Sequence, residues 1–244
     1  MLTGKVALVT GGTGAIGSAI CRAVAGYGAE VAFTYFHREK EAQELAAELE
    51  RSGRRCLAGR LDGGERTGVD TFCARVEEVF GRVDVLVNNL GAAQVMPFAL
   101  IEESDWDEMM RVNLKSMFLF SKALARGMVR RRAGVILNIG SLGGQRLLEV
   151  PVHYAAAKAG VTGFTLSLAK ELSRYRIRVL EVTPGLIAGG VGANVSERQM
   201  KDYVEHCAAG RPGEAKEVAE LVAFAASDRA SYLNAVSLPV HGGI

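Results

Sequence analysis

Cysteine is sparse, and what there is follows no pattern. Cys21, Cys56, Cys73 and Cys207 form neither a CxxC pair nor a zinc-ligand spacing. A disulfide scaffold and a structural metal are therefore excluded, no metal site is expected, and free thiols fit a reducing compartment, the cytoplasm. No apolar run reaches the ~18 residues of a membrane span. The first strand begins at Lys5 with no charged leader and apolar stretch before it, so no secretion signal is expected. No sign of charge dominates: 29 basic against 27 acidic residues leave +2. Arginines cluster at Arg51, Arg54, Arg55 and Arg130 to Arg132, but they read as solvated helix ends and loops, and no nucleic-acid surface is expected. No Pro/Ser/Gly linker divides the 244 residues, so one domain over 1–244 is expected.

What is present is alternation. Short apolar runs at Val6 to Val9, Glu30 to Phe36, Arg55 to Ala58, Val83 to Val87, Val135 to Ile139, Ile177 to Val182 and Ala235 to Val240 read as strands. Between them lie stretches of helical spacing: Ile16 to Gly26, Glu39 to Arg51, Val69 to Phe80, Glu102 to Met128, Val152 to Ser173 and Glu214 to Ala226. The stretch from 102 to 128 is long enough to bend. Seven strands alternating with helices predict an α/β fold, a parallel sheet with helices on both faces, doubly wound by right-handed crossovers. The segment 186–210 breaks the rhythm, with Gly189, Gly190 and Gly192 followed by a helical stretch near Gln199 to Cys207. It reads as a small lid beyond the carboxyl end of a strand, or as a plain surface excursion.

The first strand runs into Thr10-Gly11-Gly12-Thr13-Gly14-Ala15-Ile16-Gly17. Glycines between a strand and a helix let backbone approach a pyrophosphate, and the helix start offers unpaired amides. Gly11, Thr13, Gly14, Ile16 and Gly17 are the candidate contacts. No Lys-Ser/Thr pair follows, which disfavours a nucleoside-triphosphate loop. The second strand ends in Phe36-His37-Arg38 and not in the carboxylate an NAD site uses for the ribose. A guanidinium forks onto a 2′-phosphate, so His37 and Arg38 predict NADP, with NAD the alternative. Asp62, after the third strand, is a candidate acceptor for the adenine amino group. Asn89 and Gly91, in Asn88-Asn89-Leu90-Gly91, are placed to hold a strand end against the cofactor. Either Asp62 or the asparagines also fit a simple Asx turn.

Tyr154-Ala155-Ala156-Ala157-Lys158 sets a phenol and an ammonium one helical turn apart, thirteen residues after Ser141. A cation ~4 Å from a phenol stabilises the phenolate by ~4 kcal/mol at an effective dielectric of ~20. Lys158 would thus tune Tyr154 as general acid or base, while Ser141 hydrogen-bonds the substrate oxygen or only caps a turn. Asn113 interrupts an apolar helix, where it would kink the chain and bind a water linking Lys158 to solvent, or be a satisfied core amide.

These residues, with Pro184-Gly185 and Ser227 to Gly243, resemble the classical short-chain dehydrogenase/reductase family nearly end to end, and most of all its 3-oxoacyl-[acyl-carrier-protein] reductases. The resemblance implies a Rossmann-type fold and a tetrad of Asn113, Ser141, Tyr154 and Lys158. By the same resemblance Lys158 holds the nicotinamide ribose, and Pro184, Gly185 and Ile187 line the cofactor, with Ile187 at the carboxamide. The implied reaction is NADPH-dependent reduction of a 3-ketoacyl thioester carried by acyl carrier protein or coenzyme A, by a homo-oligomer, dimer or tetramer. Four positions depart from the family pattern: Ala15 for a glycine, Leu90 for an alanine, Gly189 for a threonine and His241 for an aspartate. Ala15 is expected to crowd the cofactor, Leu90 to put bulk near adenine, and Gly189 to lack a hydroxyl contact. The alternatives are a reductase of another ketone or alcohol (ring ketone, steroid, sugar) and a weakly active subunit of a hetero-oligomer. The substrate wall would be Met96, Phe98, Leu147, Leu148 and Val150, with Arg146 available to a carrier phosphate.

Overall fold

Val6, Ala7, Leu8 and Val9 are all buried, yet they serve two different cores. Val6 and Leu8 join one apolar cluster, Ala7 and Val9 the other, because successive strand residues face opposite sides of a sheet. A strand covered on both faces must be apolar throughout, and this one is. The computed structural model describes residues 1–146, 150–189 and 195–244. Its seven strands are β1 (Val6–Val9), β2 (Glu30–Tyr35), β3 (Cys56–Arg60), β4 (Val85–Asn88), β5 (Gly134–Ile139), β6 (Ile177–Pro184) and β7 (Ser237–Val240). They pair in the order β3-β2-β1-β4-β5-β6-β7, every pair parallel. This is the doubly wound Rossmann-type sheet expected from the alternation.

The helices are α1 (Ala15–Gly26), α2 (Glu39–Arg51), α3 (Arg66–Phe80), α4 (Glu103–Met110), α5 (Ser116–Arg131), α6 (Val152–Leu172), α7 (Glu197–His206) and α8 (Ala215–Ala226). Residues of α1, α2 and α8 build one core with the sheet, those of α3, α5 and α6 the other. In α6 the buried row His153, Ala157, Val161, Thr165, Ala169 advances by four residues and lies along the sheet. No helix among the described residues is long and apolar enough to cross a membrane.

Among the boundaries that differ from the sequence pattern, three have a clear cause. The stretch expected as one helix over Glu102 to Met128 is two helices joined by a π-helical turn, Arg111–Lys115, with Asn113 at its centre. A capping box of Glu102 and Asp105 starts the first of them. β3 runs on through Gly59 to Arg60, because Gly59 has no side chain where the Phe72 ring lies and the pairing Tyr35↔Arg60 continues the ladder. β7 starts two residues later than expected: Ala235 has φ 53°, which no strand residue adopts.

Candidate active site

The strand order reverses between β1 and β4, and the crevice at such a point opens beyond their carboxyl ends. The glycine loop is fastened there from both sides. From β2, the Thr34 hydroxyl accepts from Gly11 N at 3.1 Å. From the end of β4, Asn89 Nδ2 donates to the carbonyls of Thr10 at 2.9 Å and Gly11 at 3.2 Å. The Thr10 hydroxyl accepts from the amides of Asn89 and Leu90, each at 2.9 Å. Gly11 has φ 67°, and a Cβ on Gly17 would collide with the Gly11 carbonyl and stand 2.7 Å from Asn89 Nδ2, so neither position admits a side chain. Gly14 caps α1 with no side-chain hydrogen bond and no acidic residue follows in the first turn. The opening amides of α1 thus remain available to an anion, which fits a dinucleotide phosphate. Thr13 and Ile16 flank that opening, Ile16 leaning on the core.

Arg38 reaches back to the same loop, its Nη1 donating to Thr13 O at 3.3 Å. His37 packs edge-on against Phe36, ring centroids 4.4 Å apart. Glu39 and Glu41 belong to the first turn of α2, leaving no carboxylate at the end of β2 itself. A second guanidinium that the sequence pattern did not single out joins them: Arg60, ending β3, donates to Phe36 O at 3.2 Å and lies 3.7 Å from Glu39. Only the sheet register, which brings Arg60 opposite Tyr35, could have revealed it.

Asp62 is already engaged. Both of its oxygens accept from Arg111 Nη1, at 2.7 and 2.8 Å, and Oδ1 also accepts from Gly64 N at 2.8 Å, an Asx turn. Burial raises its pKa, but Arg111 and the Gly64 amide outweigh it and hold the carboxyl below its ordinary range. Two adjacent glycines make this possible. A Cβ on Gly64 would collide with the Arg111 guanidinium, and one on Gly63 with Leu90 Cδ2. Leu90 therefore fills the space that Gly63 leaves, and its bulk is directed there. Gly63 adjoins Asp62, so this bulk lies beside the candidate adenine contact.

At the carboxyl end of β5, Ser141 Oγ accepts from Gly143 N at 3.2 Å and lies beside the Tyr154 phenol, whose pKa it lowers. It is at once a turn cap and a neighbour of the phenol. Lys158 is buried, 4% exposed, and its Nζ donates to Ile139 O at 2.9 Å. Gly91 closes the group: a Cβ there would stand 2.9 Å from Asn113 Oδ1 and 3.4 Å from Lys158 Nζ. The β4 end, the π-turn and α6 thus converge on one point.

Lys158 Nζ stands 5.9 Å from the Tyr154 ring centroid and donates to the Ile139 carbonyl. Burial drives the Tyr154 pKa up, and it is Ser141 that opposes this. Burial also lowers Lys158 to about 8, with Glu181 pulling the other way. Asn113 spends its amide on protein: Nδ2 donates to Ala92 O at 2.9 Å and Met109 O at 3.0 Å, and Oδ1 accepts from Ala92 N at 3.2 Å. Its side chain anchors the segment after β4 and is fully paired without a water.

Pro184 ends β6, and Gly185 is tight, since a Cβ there would clash with Tyr203 and His241. Ile187 is buried in the core and forms a parallel bridge with Gly213. That bridge uses Leu186 O and Ala188 N, which leaves the Ile187 amide and carbonyl facing the opposite way, as a carboxamide partner requires. His241 is occupied locally, its Nδ1 accepting from Gly243 N and Ile244 N. Phe98 is 72% exposed, and Val150 lies over Gly143. Arg146 is exposed. Leu147, Leu148, Gly190 and Gly192 lie outside the described residues. No cluster of His, Cys, Asp and Glu among the described residues could hold a metal.

A sequence-family model described as short chain dehydrogenase matches residues 5–201. The 3-oxoacyl-[acyl-carrier-protein] reductase FabG of Haemophilus influenzae is 38% identical over 243 residues, covering 100% of this chain and 99% of that one. A short-chain dehydrogenase from Burkholderia cenocepacia, solved in complex with NADP, superposes with a TM-score of 0.93 at 33% identity, over 99% of this chain and 98% of that one. A blue fluorescent protein from a metagenomic library, solved with NADPH, gives 0.93 at 34% identity with the same coverage.

Proposed function

The chain belongs to the short-chain dehydrogenase family, whose members are NADP(H)-dependent oxidoreductases of ketones and alcohols, and from that premise we propose that it reduces the C3 ketone of an acyl thioester with NADPH. The observation that carries this reading is the convergence of Ser141, Tyr154 and Lys158 at the end of β5, beside a glycine loop and two arginines. Likeness to the FabG reductases over the full chain supports the thioester substrate.

When bound, NADPH supplies the hydride. The α1 amides and the glycine loop hold its pyrophosphate, and Arg38 and Arg60 hold the 2′-phosphate. The outward-facing Ile187 backbone orients the carboxamide. Ser141 donates to the substrate oxygen as charge develops there. Tyr154 delivers its phenolic proton to the same oxygen. Lys158 supplies positive charge beneath them, and its ammonium would hold the nicotinamide ribose. Asn113 fixes Ala92 and with it the wall on which the substrate lies. The segment 186–210, with α7, covers the substrate as a lid within a single domain. Acyl carrier protein or coenzyme A presents the acyl chain, as fatty acid or polyketide assembly requires, with exposed Arg146 available to the carrier phosphate.

A homo-oligomer, dimer or tetramer, is part of the proposal. A groove of about 560 Å³, lined by Leu114, Phe118, Gly160 and Phe164, lies open between α5 and α6, with Phe118 44% exposed. Reduction of a ring ketone or steroid is the second reading, favoured by the apolar Phe98 and Val150, with a sugar the further alternative. An NADPH-oxidation screen over acetoacetyl thioesters, ring ketones and sugars decides between them: a preference for the thioesters supports the first. Tyr154→Phe should fold and lose turnover, and turnover retained in it would overturn the assignment. Fluorescence titration with NADPH checks the third reading, a weakly active partner subunit, which requires no binding at millimolar cofactor.

A further inference from the structure

Glu181 and Lys158 are the only Asp, Glu, Lys or Arg buried among the described residues, at 1% and 4% exposure. They flank two consecutive backbone units. Lys158 Nζ donates to the Ile139 carbonyl at 2.9 Å. Glu181 Oε1 lies against Gly140, so near that any Cβ there would collide with it. The next residue is Ser141. Glu181 sits on β6 in register with Asn138, on the sheet face that α6 covers.

One oxygen of this carboxyl is well served. Oε2 accepts from Thr162 Oγ1 at 2.9 Å and from Gln145 Nε2 at 3.2 Å, and Gln145 also reaches Ser237 Oγ at 3.0 Å. Oε1 is buried with no hydrogen-bond donor. Every donor on the carboxyl is neutral, and a buried carboxylate needs a counter-charge as well. The elements packed around it offer only one. α6 presents Thr162 and Lys158; β5 presents Asn138 and Gly140; β7 presents Ser237; the turn after β5 presents Gln145. Burial raises the Glu181 pKa, and Thr162, Ser237, Lys158 and Gln145 oppose that, Lys158 as the one charge among them.

We propose that Glu181 is a positioning residue of the reductase: across the Ile139–Gly140 backbone it is the counter-charge that keeps Lys158 an ammonium and braces the strand end bearing Ser141. This rests on the catalytic assignment of Tyr154 and Lys158 above. Burial drives Lys158 toward its neutral form and the field of Glu181 opposes that drive, so the ammonium should be lost at lower pH once the carboxylate is removed.

The test is the pH profile of kcat/KM for reduction of any ketone the enzyme accepts. In Glu181→Gln, which keeps an acceptor for Thr162, the alkaline limb should move down by about half a pH unit or more, with NADPH affinity within about twofold of wild type. Glu181→Asp should restore most of the limb, which a packing role alone would not. An unmoved limb in a folded Glu181→Gln overturns the proposal. If that variant fails to fold, infrared difference spectroscopy of the intact protein with labelled glutamate reads the carboxyl directly. Ionisation while Lys158 is still charged supports the pair, and a carboxyl protonated at every pH overturns it. Turnover retained in Tyr154→Phe would sink the underlying assignment instead, whatever Glu181 does.

Discussion

Ala15 and Gly189 face each other across the mouth of the cofactor crevice: a Cβ on Gly189 would stand 3.8 Å from the Ala15 Cβ. These are two of the positions at which the chain departs from the family pattern, and they meet. The methyl gained at the start of α1 and the side chain given up beyond β6 occupy neighbouring space, so Ala15 crowds less than its identity alone implies. Gly189 also has φ 82°, where a side chain is strained by roughly 1–2 kcal/mol. Ala15→Gly is expected to leave the NADPH dissociation constant within about threefold, whereas Gly189→Ala should lower the melting temperature. A titration and a melt of each variant check this, and equal effects of the two would refute the compensation.

Leu90 and Gly63 form a second such pair, with a sharper test. Gly63→Ala pushes a methyl into Leu90 Cδ2 and stands 3.4 Å from the Phe120 ring, so Leu90 must turn toward the crevice. Overpacking of this kind costs ~1–3 kcal/mol. Gly63→Ala should lose both stability and NADPH affinity, and Leu90→Ala in the same chain should return most of each. A double-mutant cycle read by calorimetry measures the coupling; additive losses would mean the two residues do not share the space.

Much of this was legible in advance, for identifiable reasons. The sheet follows from apolar runs alternating with helical spacing, since a strand buried on both faces has no polar position to hide it. The glycine loop and the Tyr154–Lys158 spacing are local, and locality is what a sequence records. The rest depends on what meets across the fold. The kink at Asn113 was legible as a polar residue breaking an apolar helix, but its π-helical form was not, because one extra residue in a turn leaves no compositional mark. Arg60 and Arg111 become part of the cofactor end through sheet register and through the room left by Gly64. Glu181 sits between apolar Leu180 and Val182 on β6, and its partner lies 23 residues earlier. The hydrogen bond from Lys158 to the Ile139 carbonyl was not legible, because a backbone group leaves no signature in side-chain identities.

Arg38 and Arg60 provide the coenzyme test. Both guanidiniums are exposed and near the end of β2, and a charge-assisted hydrogen bond to phosphate contributes ~1.5–3 kcal/mol. Arg38→Ala and Arg60→Ala should each raise the NADPH dissociation constant by roughly tenfold or more while leaving that of NADH nearly unchanged. Parallel titrations with both coenzymes measure the ratio. If NADH weakens equally, the arginines support the loop and do not read the phosphate.

Lys158 ties the site to folding stability through pH, and the sign follows from its depressed pKa. The folded protein holds this lysine near 8, whereas the unfolded chain holds it near ~10.4. Between those values the unfolded state binds more protons, so stability rises with pH across the window. Below about 8 both states are protonated and the cost of burying the ammonium is fully present; above ~10.4 it is gone. The difference amounts to something on the order of 3 kcal/mol. Urea unfolding of the wild type and of Lys158→Met, compared from pH ~7.5 to ~10, should therefore converge: the wild type gains on the variant as pH rises. Parallel curves would mean that the ammonium is as well solvated in the folded protein as in water, and the buried-cation picture of the site would have to be abandoned.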